Sequence, residues 1–213
     1  MGPRSSVSNR AMRKTTPQLA AATFLFMSGN AYPNDQHIEM ALCERLPGTL
    51  LTFGSLIEKF AGGNPPIELV PRLAFLRHIL SVIPTQNLFL VGRSSGARAM
   101  TRLAADFTDP ATVAGIVCLG YPFRHPEMDH EPDRVDHLTR LRVPTLILQG
   151  DEDTYGNRLT APTYPLSDST RLEFVPGTHV LTLPPEGWDA LADRICAFAA
   201  SHMTPAPSLQ RAG

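Results

Sequence analysis

The chain has 213 residues, of which 43% are hydrophobic and 18% charged: enough apolar material for one sizeable core, and too little charge for a disordered chain. The formal net charge is −1 with no basic block, which argues against nucleic acid or an anionic membrane surface as a partner. Cys43, Cys118 and Cys196 form an odd set scattered through apolar stretches, so they read as buried thiols rather than a disulfide framework or a metal site, and no apolar run is long enough to span a bilayer.

At the N-terminus, Arg4, Arg10, Arg13 and Lys14 precede an apolar stretch over 19–27, followed by Ser28-Gly29-Asn30-Ala31. Basic, apolar and small-residue regions in that order have the form of a secretory signal peptide cleaved after Ala31. The preferred reading is a first strand over 22–27 behind a disordered tail over 1–19, because cleavage there would delete a piece that the fold needs. A cytoplasmic protein follows from that reading, a secreted one from the other. Gly2 and Ser6 also fit a loose N-myristoylation pattern, which Pro3 disfavours.

From there strand-like apolar runs alternate with helical patterns. Strands are predicted over 22–27, 49–53, 87–91, 113–119, 145–149 and 171–175, and helices over 35–46, 67–82, 96–106 and 188–202. This alternation predicts an α/β fold: one mostly parallel sheet of about six or seven strands with helices on both faces, in a single domain over 20–202. The continuous apolar character of 88–91 and 146–148 suits strands covered on both sides. Residues 54–66 read as a Gly- and Pro-rich loop. Residues 121–140 read as an irregular connection with Pro122, Pro126 and Pro132, and 203–213 as a disordered tail. There is no internal repeat and no room for a large lid.

The most informative segment is Gly92-Arg93-Ser94-Ser95-Gly96, a G-x-S-x-G between a predicted strand and a predicted helix. In that setting the pattern is a nucleophile elbow: a sharp turn strains the serine backbone and exposes its hydroxyl at the carboxyl edge of the sheet. A Cβ two residues either side would collide with neighbouring elements. Centring the motif on Ser95 would put Arg93 and Ala97 at those flanks, so the steric argument selects Ser94 as nucleophile.

A serine hydroxyl needs a base, and the base needs an acid to hold its tautomer. Both should follow the serine in chain order, on loops after later strands. Gln149-Gly150-Asp151-Glu152-Asp153 offers two acids, Asp151 and Asp153. Asp153 is preferred on its G-x-x-D spacing, with Asp151 and Glu152 readable as solvated turn acids or a helix cap. His179 after Gly177-Thr178 is the best-placed base. His125, His130 and His137 precede the acid and read as exposed loop residues or, at most, pocket residues, while His37, His78 and His202 lie on or at the end of helices. An oxyanion hole would take the N–H of Ser95 and a second donor from Asn30 or Ala31, with Gly29 allowing close approach; a plain Gly-Asn turn is the other reading of that loop. Gly29, Tyr121 and Phe123 are the expected substrate-pocket residues.

With these residues in place, the chain resembles the α/β-hydrolase superfamily over 22–202, in a minimal form. More narrowly it is similar to a small lidless group containing testis-expressed hydrolase-like proteins and a subunit of the non-specific lethal histone acetyltransferase complex. The segments that carry this are Val117-Cys118-Leu119-Gly120-Tyr121-Pro122-Phe123 and Pro144-Thr145-Leu146-Ile147-Leu148-Gln149-Gly150, with Asp153 and Gly156 following. The resemblance implies Ser94 as nucleophile, Asp153 as acid and His179 as base. The sequence departs from that group at Ser28-Gly29-Asn30-Ala31, where a Gly-Ala-Gly-like loop is usual, at Thr178, often Asp, and at Ser95, often Met.

The expected function is therefore a serine hydrolase acting on a small ester, thioester or amide, with no metal or organic cofactor implied. The alternative is a non-catalytic interaction protein or complex subunit on the same fold.

Overall fold

The computed structural model describes residues 18–84, 86–106, 113–128 and 131–204. The strands are β1 (Thr23–Met27), β2 (Thr49–Leu51), β3 (Leu88–Arg93), β4 (Gly115–Leu119), β5 (Thr145–Gly150) and β6 (Thr170–Val175). The α-helices are α1 (Gln36–Arg45), α2 (Phe53–Ala61), α3 (Leu69–Val82), α4 (Ser95–Asp106), the single turn α5 (Pro132–Val135) and α6 (Pro185–His202). The six strands form one parallel sheet in the order β2-β1-β3-β4-β5-β6.

That order places the site. From β1 the chain steps outward to β2, then crosses back over β1 to β3 and continues the other way. Right-handed crossovers in opposite directions put helices on opposite faces. Accordingly α1 packs with α6 on one face, and α2, α3 and α4 pack on the other. The reversal point lies between β1 and β3, and open α/β sheets bind ligands outside the carboxyl ends of strands at such a switch point. Every side chain of β3, β4 and β5 is buried, as expected for strands covered on both faces.

Most boundaries differ from the sequence expectation by one to three residues, and helical turns form in two segments expected to be irregular, 54–66 and 121–140. The second strand ends at Leu51, and residues 53–61 within the expected strand and loop are helical. Thr52 caps that helix by accepting from the Ser55 N–H at 3.3 Å, and the Phe53 N–H donates to Glu39 Oε2 at 2.7 Å. Phe53, Leu56 and Ile57 form its buried stripe, and Gly62 ends it in the left-handed conformation. The Gly and Pro residues of this segment stop the helix; they do not prevent it. The last helix begins at Pro185, a turn earlier than expected, with proline at a first-turn position that needs no N–H.

The expected tails fall largely outside the described residues. Within them, Leu19 sits buried in a 3-10 helix, and Thr204 exchanges hydrogen bonds with the Asn87 side chain at 2.9 and 3.3 Å. Residues 23–27 form a strand hydrogen-bonded on both sides, to β2 and β3. No helix among the described residues is long and apolar enough to cross a membrane. Cys118 and Cys196 are buried as expected, whereas Cys43 is exposed on α1.

Candidate active site

Parallel register brings the loops together. Met27 pairs with Gly92, so the residues after β1 run beside the residues after β3. Ser94 has φ +49, the strained turn that the motif predicts, and its N–H donates to Leu119 O at the end of β4. The flanking glycines are sterically required. A Cβ on Gly92 would lie 2.4 Å from Ala97 Cα, and one on Gly96 would lie 2.4 Å from Met27 O. Gly29 presses on the elbow in the same way: its Cβ would stand 3.1 Å from Ser94 Cβ and 3.2 Å from Arg93 O.

At the other end of the sheet, Gly150 pairs with Val175, which sets the loop after β5 against the loop after β6. A Cβ on Gly150 would meet Gly177 O at 2.5 Å, so only glycine allows the approach. The two acids of this loop divide their tasks. Asp151 accepts from the Gly177 N–H at 2.9 Å and ties the loops together. Asp153, wholly buried, faces His179, with Oδ2 2.8 Å and Oδ1 3.0 Å from Nδ1. Its remaining capacity is filled by Gln149 Nε2 at 2.8 Å and the Tyr155 N–H at 2.8 Å. On its other side, His179 Nε2 lies 3.0 Å from Ser94 Oγ. A carboxylate can only accept, so Nδ1 carries the proton and Nε2 presents its lone pair to the serine hydroxyl. Tyr155 stacks on the imidazole with ring centroids 4.0 Å apart, and His125 meets Tyr155 edge-on.

The loop after β1 is held from behind. Arg72 on α3, 1% exposed, donates to Ile67 O, Ser28 O and Asn30 Oδ1 at 2.9, 2.7 and 3.1 Å. Burial lowers its pKa to about 10, so it stays charged at neutral pH. Buried Asp35 takes the Ser28 hydroxyl at 2.5 Å. Asn30 Oδ1 also accepts from Ser95 Oγ at 2.7 Å, which links this loop to the elbow. Gly29 is buried, whereas Asn30 and Ala31 are exposed beside it.

Two expected pocket residues turn inward. Tyr121 and Phe123 are fully buried. The Tyr121 N–H donates to Gln149 Oε1 at 2.8 Å, its hydroxyl donates to Arg134 O at 2.5 Å, and Phe123 packs between Tyr121 and Tyr164. With no exposed surface, neither lines an open pocket. His137, expected in an exposed loop, is also fully buried, with Nε2 2.9 Å from Thr101 Oγ1. His130 lies outside the described residues. His37, His78 and His202 pack against Trp188, Phe60 and Phe198, as side chains of helices rather than of the site. Among the described residues no group of three His, Cys, Asp or Glu side chains could hold a metal ion.

Sequence reasoning missed Arg72, Arg93, Gln149 and Tyr155. Gln149 and Tyr155 carried a signal, since both sit next to the predicted acid. The role of the arginines was harder to read, because charged residues are almost never fully buried without partners, and most of their partners here are distant in the chain.

The fold recurs in solved structures. A yden-like hydrolase from Pectobacterium atrosepticum superposes with a TM-score of 0.62 at 19% identity, covering 86% of this chain and 93% of that one. The Pyrococcus furiosus esterase Pf2001 gives 0.63 at 12% identity, over 88% and 85%. The esterase domain of a Rhodothermus marinus protein gives 0.53 at 18% identity, over 88% and 90%. At such identities the likeness speaks to the fold, and the narrower resemblance to the testis-expressed group is not shown by it. The family described as an alpha/beta hydrolase domain matches residues 65–203. With most of its length matched, and the sheet order, elbow and loops described above, this chain belongs to the α/β-hydrolase domain family.

Proposed function

We propose that the protein is a serine hydrolase that cleaves a small ester, thioester or amide through an acyl-enzyme on Ser94. One observation carries this reading: an unbroken proton path from Ser94 Oγ to His179 Nε2 at 3.0 Å and from His179 Nδ1 to Asp153 at 2.8 Å, beginning at a serine held at φ +49. A protein that only binds partners needs neither the strain nor the path. Esterase structures among its fold relatives are consistent with it.

Ser94 Oγ attacks the substrate carbonyl carbon as its proton passes to His179 Nε2, and the Oγ–C bond forms. The carbonyl π electrons move onto oxygen, where the Ser95 N–H at the start of α4 and an N–H of Asn30 or Ala31 stabilise them. Gly29, with no side chain between its loop and the elbow, lets that second donor approach. Asp153 keeps the proton on Nδ1 and stabilises the imidazolium. When the intermediate collapses, the bond to the leaving group breaks and His179 gives that group its proton. Water, deprotonated by the now neutral His179, then releases the acid and restores Ser94.

A fluorophosphonate probe tests the reading. The purified full chain is expected to label and to hydrolyse short p-nitrophenyl esters, and Ser94→Ala to lose labelling and lower kcat by about 10⁴-fold or more. Labelling that survives Ser94→Ala would sink the nucleophile assignment. No labelling and no turnover in the wild type would favour a non-catalytic interaction protein.

A further inference from the structure

Arg93 occupies the first variable position of the elbow motif, as the last residue of β3. Its side chain runs into the interior and is only 4% exposed. A guanidinium keeps its charge in proteins, so burying one demands compensation. Burial pushes its pKa below the ordinary arginine range, while Asp35 and Asp153 pull it back up. Nη2 donates to the main-chain oxygen of His179. Nη1 lies 3.5 Å from both Leu119 O and Gly120 O, and 3.4 Å from His179 Nε2. Nε is buried with no hydrogen-bond partner among the described residues, so the group is held by its far end alone.

The surroundings reserve space for this arrangement. Gly120 has φ +62, and a Cβ there would stand 3.1 Å from Arg93 Nη1, 3.4 Å from Asp153 Oδ2 and 3.6 Å from His179 Nδ1. The loop that bears His179 is itself strained: Leu181, two residues on, has φ +54. Such a conformation persists only where its surroundings over-determine it. Asp151 holds this loop at Gly177, and the Leu181 N–H donates to Thr178 O. The hydrogen bond from Arg93 acts on the histidine itself.

We propose that Arg93 is a positioning residue, whose guanidinium clamps the main chain of His179 and compensates the buried Asp153 carboxylate, so that the imidazole stays aligned between Ser94 and Asp153. This deepens the hydrolase reading and rests on it. Within the triad its hydrogen-bond contacts are with the main chain and the imidazole of His179, and it acts through that residue. Its planar fork spans the carbonyl of the histidine loop and those at the end of β4, which a point charge on a flexible stem does only in part.

The test compares Arg93→Met and Arg93→Lys in the full chain, read by steady-state hydrolysis of p-nitrophenyl acetate and by NMR of the protein labelled with [15N]histidine. The His179 Nδ1 proton signal is identified by its loss in His179→Gln. Arg93→Met is expected to lower kcat by about 10²-fold with KM held within about threefold, because misplaced catalytic groups cost turnover more than binding. The Nδ1 proton signal should broaden in Arg93→Met. Arg93→Lys should recover about tenfold of the lost kcat and sharpen the signal again. Unchanged kcat and signal in Arg93→Met would overturn the proposal. So would the loss of cooperative unfolding in both variants, which would make Arg93 a residue of core stability alone. The signal reports His179 whether or not esters are turned over. A wild type that neither labels nor hydrolyses, yet whose signal depends on Arg93, would refute the hydrolase reading and leave the positioning role standing.

Discussion

Two histidines in this molecule face opposite ways, and the contrast shows what makes an imidazole useful. His179 has a buried carboxylate on Nδ1, a serine hydroxyl on Nε2 and a partly exposed ring. His137 is wholly buried, and its hydrogen bonds among the described residues are to hydroxyls. Its Nε2 meets Thr101 Oγ1 at 2.9 Å and Tyr121 Oη at 3.4 Å, and both hydroxyls also donate to main-chain oxygens. Nε2 must therefore be the donor in that cluster, which leaves Nδ1 as an acceptor without a partner among the described residues. Desolvation pushes the pKa of His137 down to about 4, and Arg102, Arg98 and Arg140 press it in the same direction against Asp106. On the proposed mechanism, one site accepts a proton during a reaction. The other is arranged never to carry a second one at neutral pH.

The largest expected effect breaks the first of these arrangements. Asp153→Asn keeps the shape of the side chain but offers an amide that can stabilise no imidazolium and no longer enforces the proton on Nδ1. It should lower kcat on p-nitrophenyl esters by about 10⁴-fold. Stopped-assay kinetics check this, with thermal unfolding to confirm the fold. A loss of less than about tenfold would show that Asp153 does not orient the base.

The second prediction tests the quiet histidine. The folded pKa of His137 lies below its unfolded value of 6.5, so between about 6.5 and about 4 the unfolded chain binds more protons. Stability supplied by this group is full above 6.5 and is lost as pH falls toward about 4, by roughly 3 kcal/mol in all. Urea unfolding across that window should show the slope in the wild type, and His137→Asn should flatten it. An identical slope in both would assign the acid sensitivity to carboxylates instead.

The smallest effect sharpens what surrounds His179. Tyr155 lies face to face with the imidazole at 4.0 Å, where a ring attracts the cation that the proposed mechanism forms. Tyr155→Leu should lower kcat/KM by about threefold to thirtyfold, and Tyr155→Phe should leave it within about twofold. Equal losses in both would point to the hydroxyl rather than the ring face.

Much of this was legible in the residues. The alternation of apolar runs and helical patterns announced the parallel sheet. The spacing of Gly92 and Gly96 distinguished Ser94 from Ser95, and the chain order of Gly150-Asp151-Glu152-Asp153 and His179 matched the loops that now lie together. Other features were not. The helix Phe53–Ala61 was hidden because a glycine- and proline-rich stretch was weighed by composition, whereas Thr52 and the stripe of Phe53, Leu56 and Ile57 decided it. Tyr121 and Phe123 follow a strand whose carboxyl end faces the site, yet both are fully buried, Tyr121 hydrogen-bonded to Gln149 and Arg134 and Phe123 packed against Tyr121 and Tyr164.

The division has a physical basis. Strand, elbow and loop order depend on steric rules acting over a few neighbouring residues, and a sequence states those directly. A Cβ at Gly92 collides with Ala97, five positions along the same turn. The burial of a charge depends on partners that arrive from elsewhere. Arg72 is compensated by Ser28 and Asn30, Arg93 by His179, and the buried His137 finds hydrogen-bond partners in Thr101 and Tyr121. Those partners meet only once β1, β3, β4 and the histidine loop are stacked at one edge of the sheet. The amino-acid sequence by itself determined which residues could do the chemistry, and the tertiary structure decided which charges hold them in place.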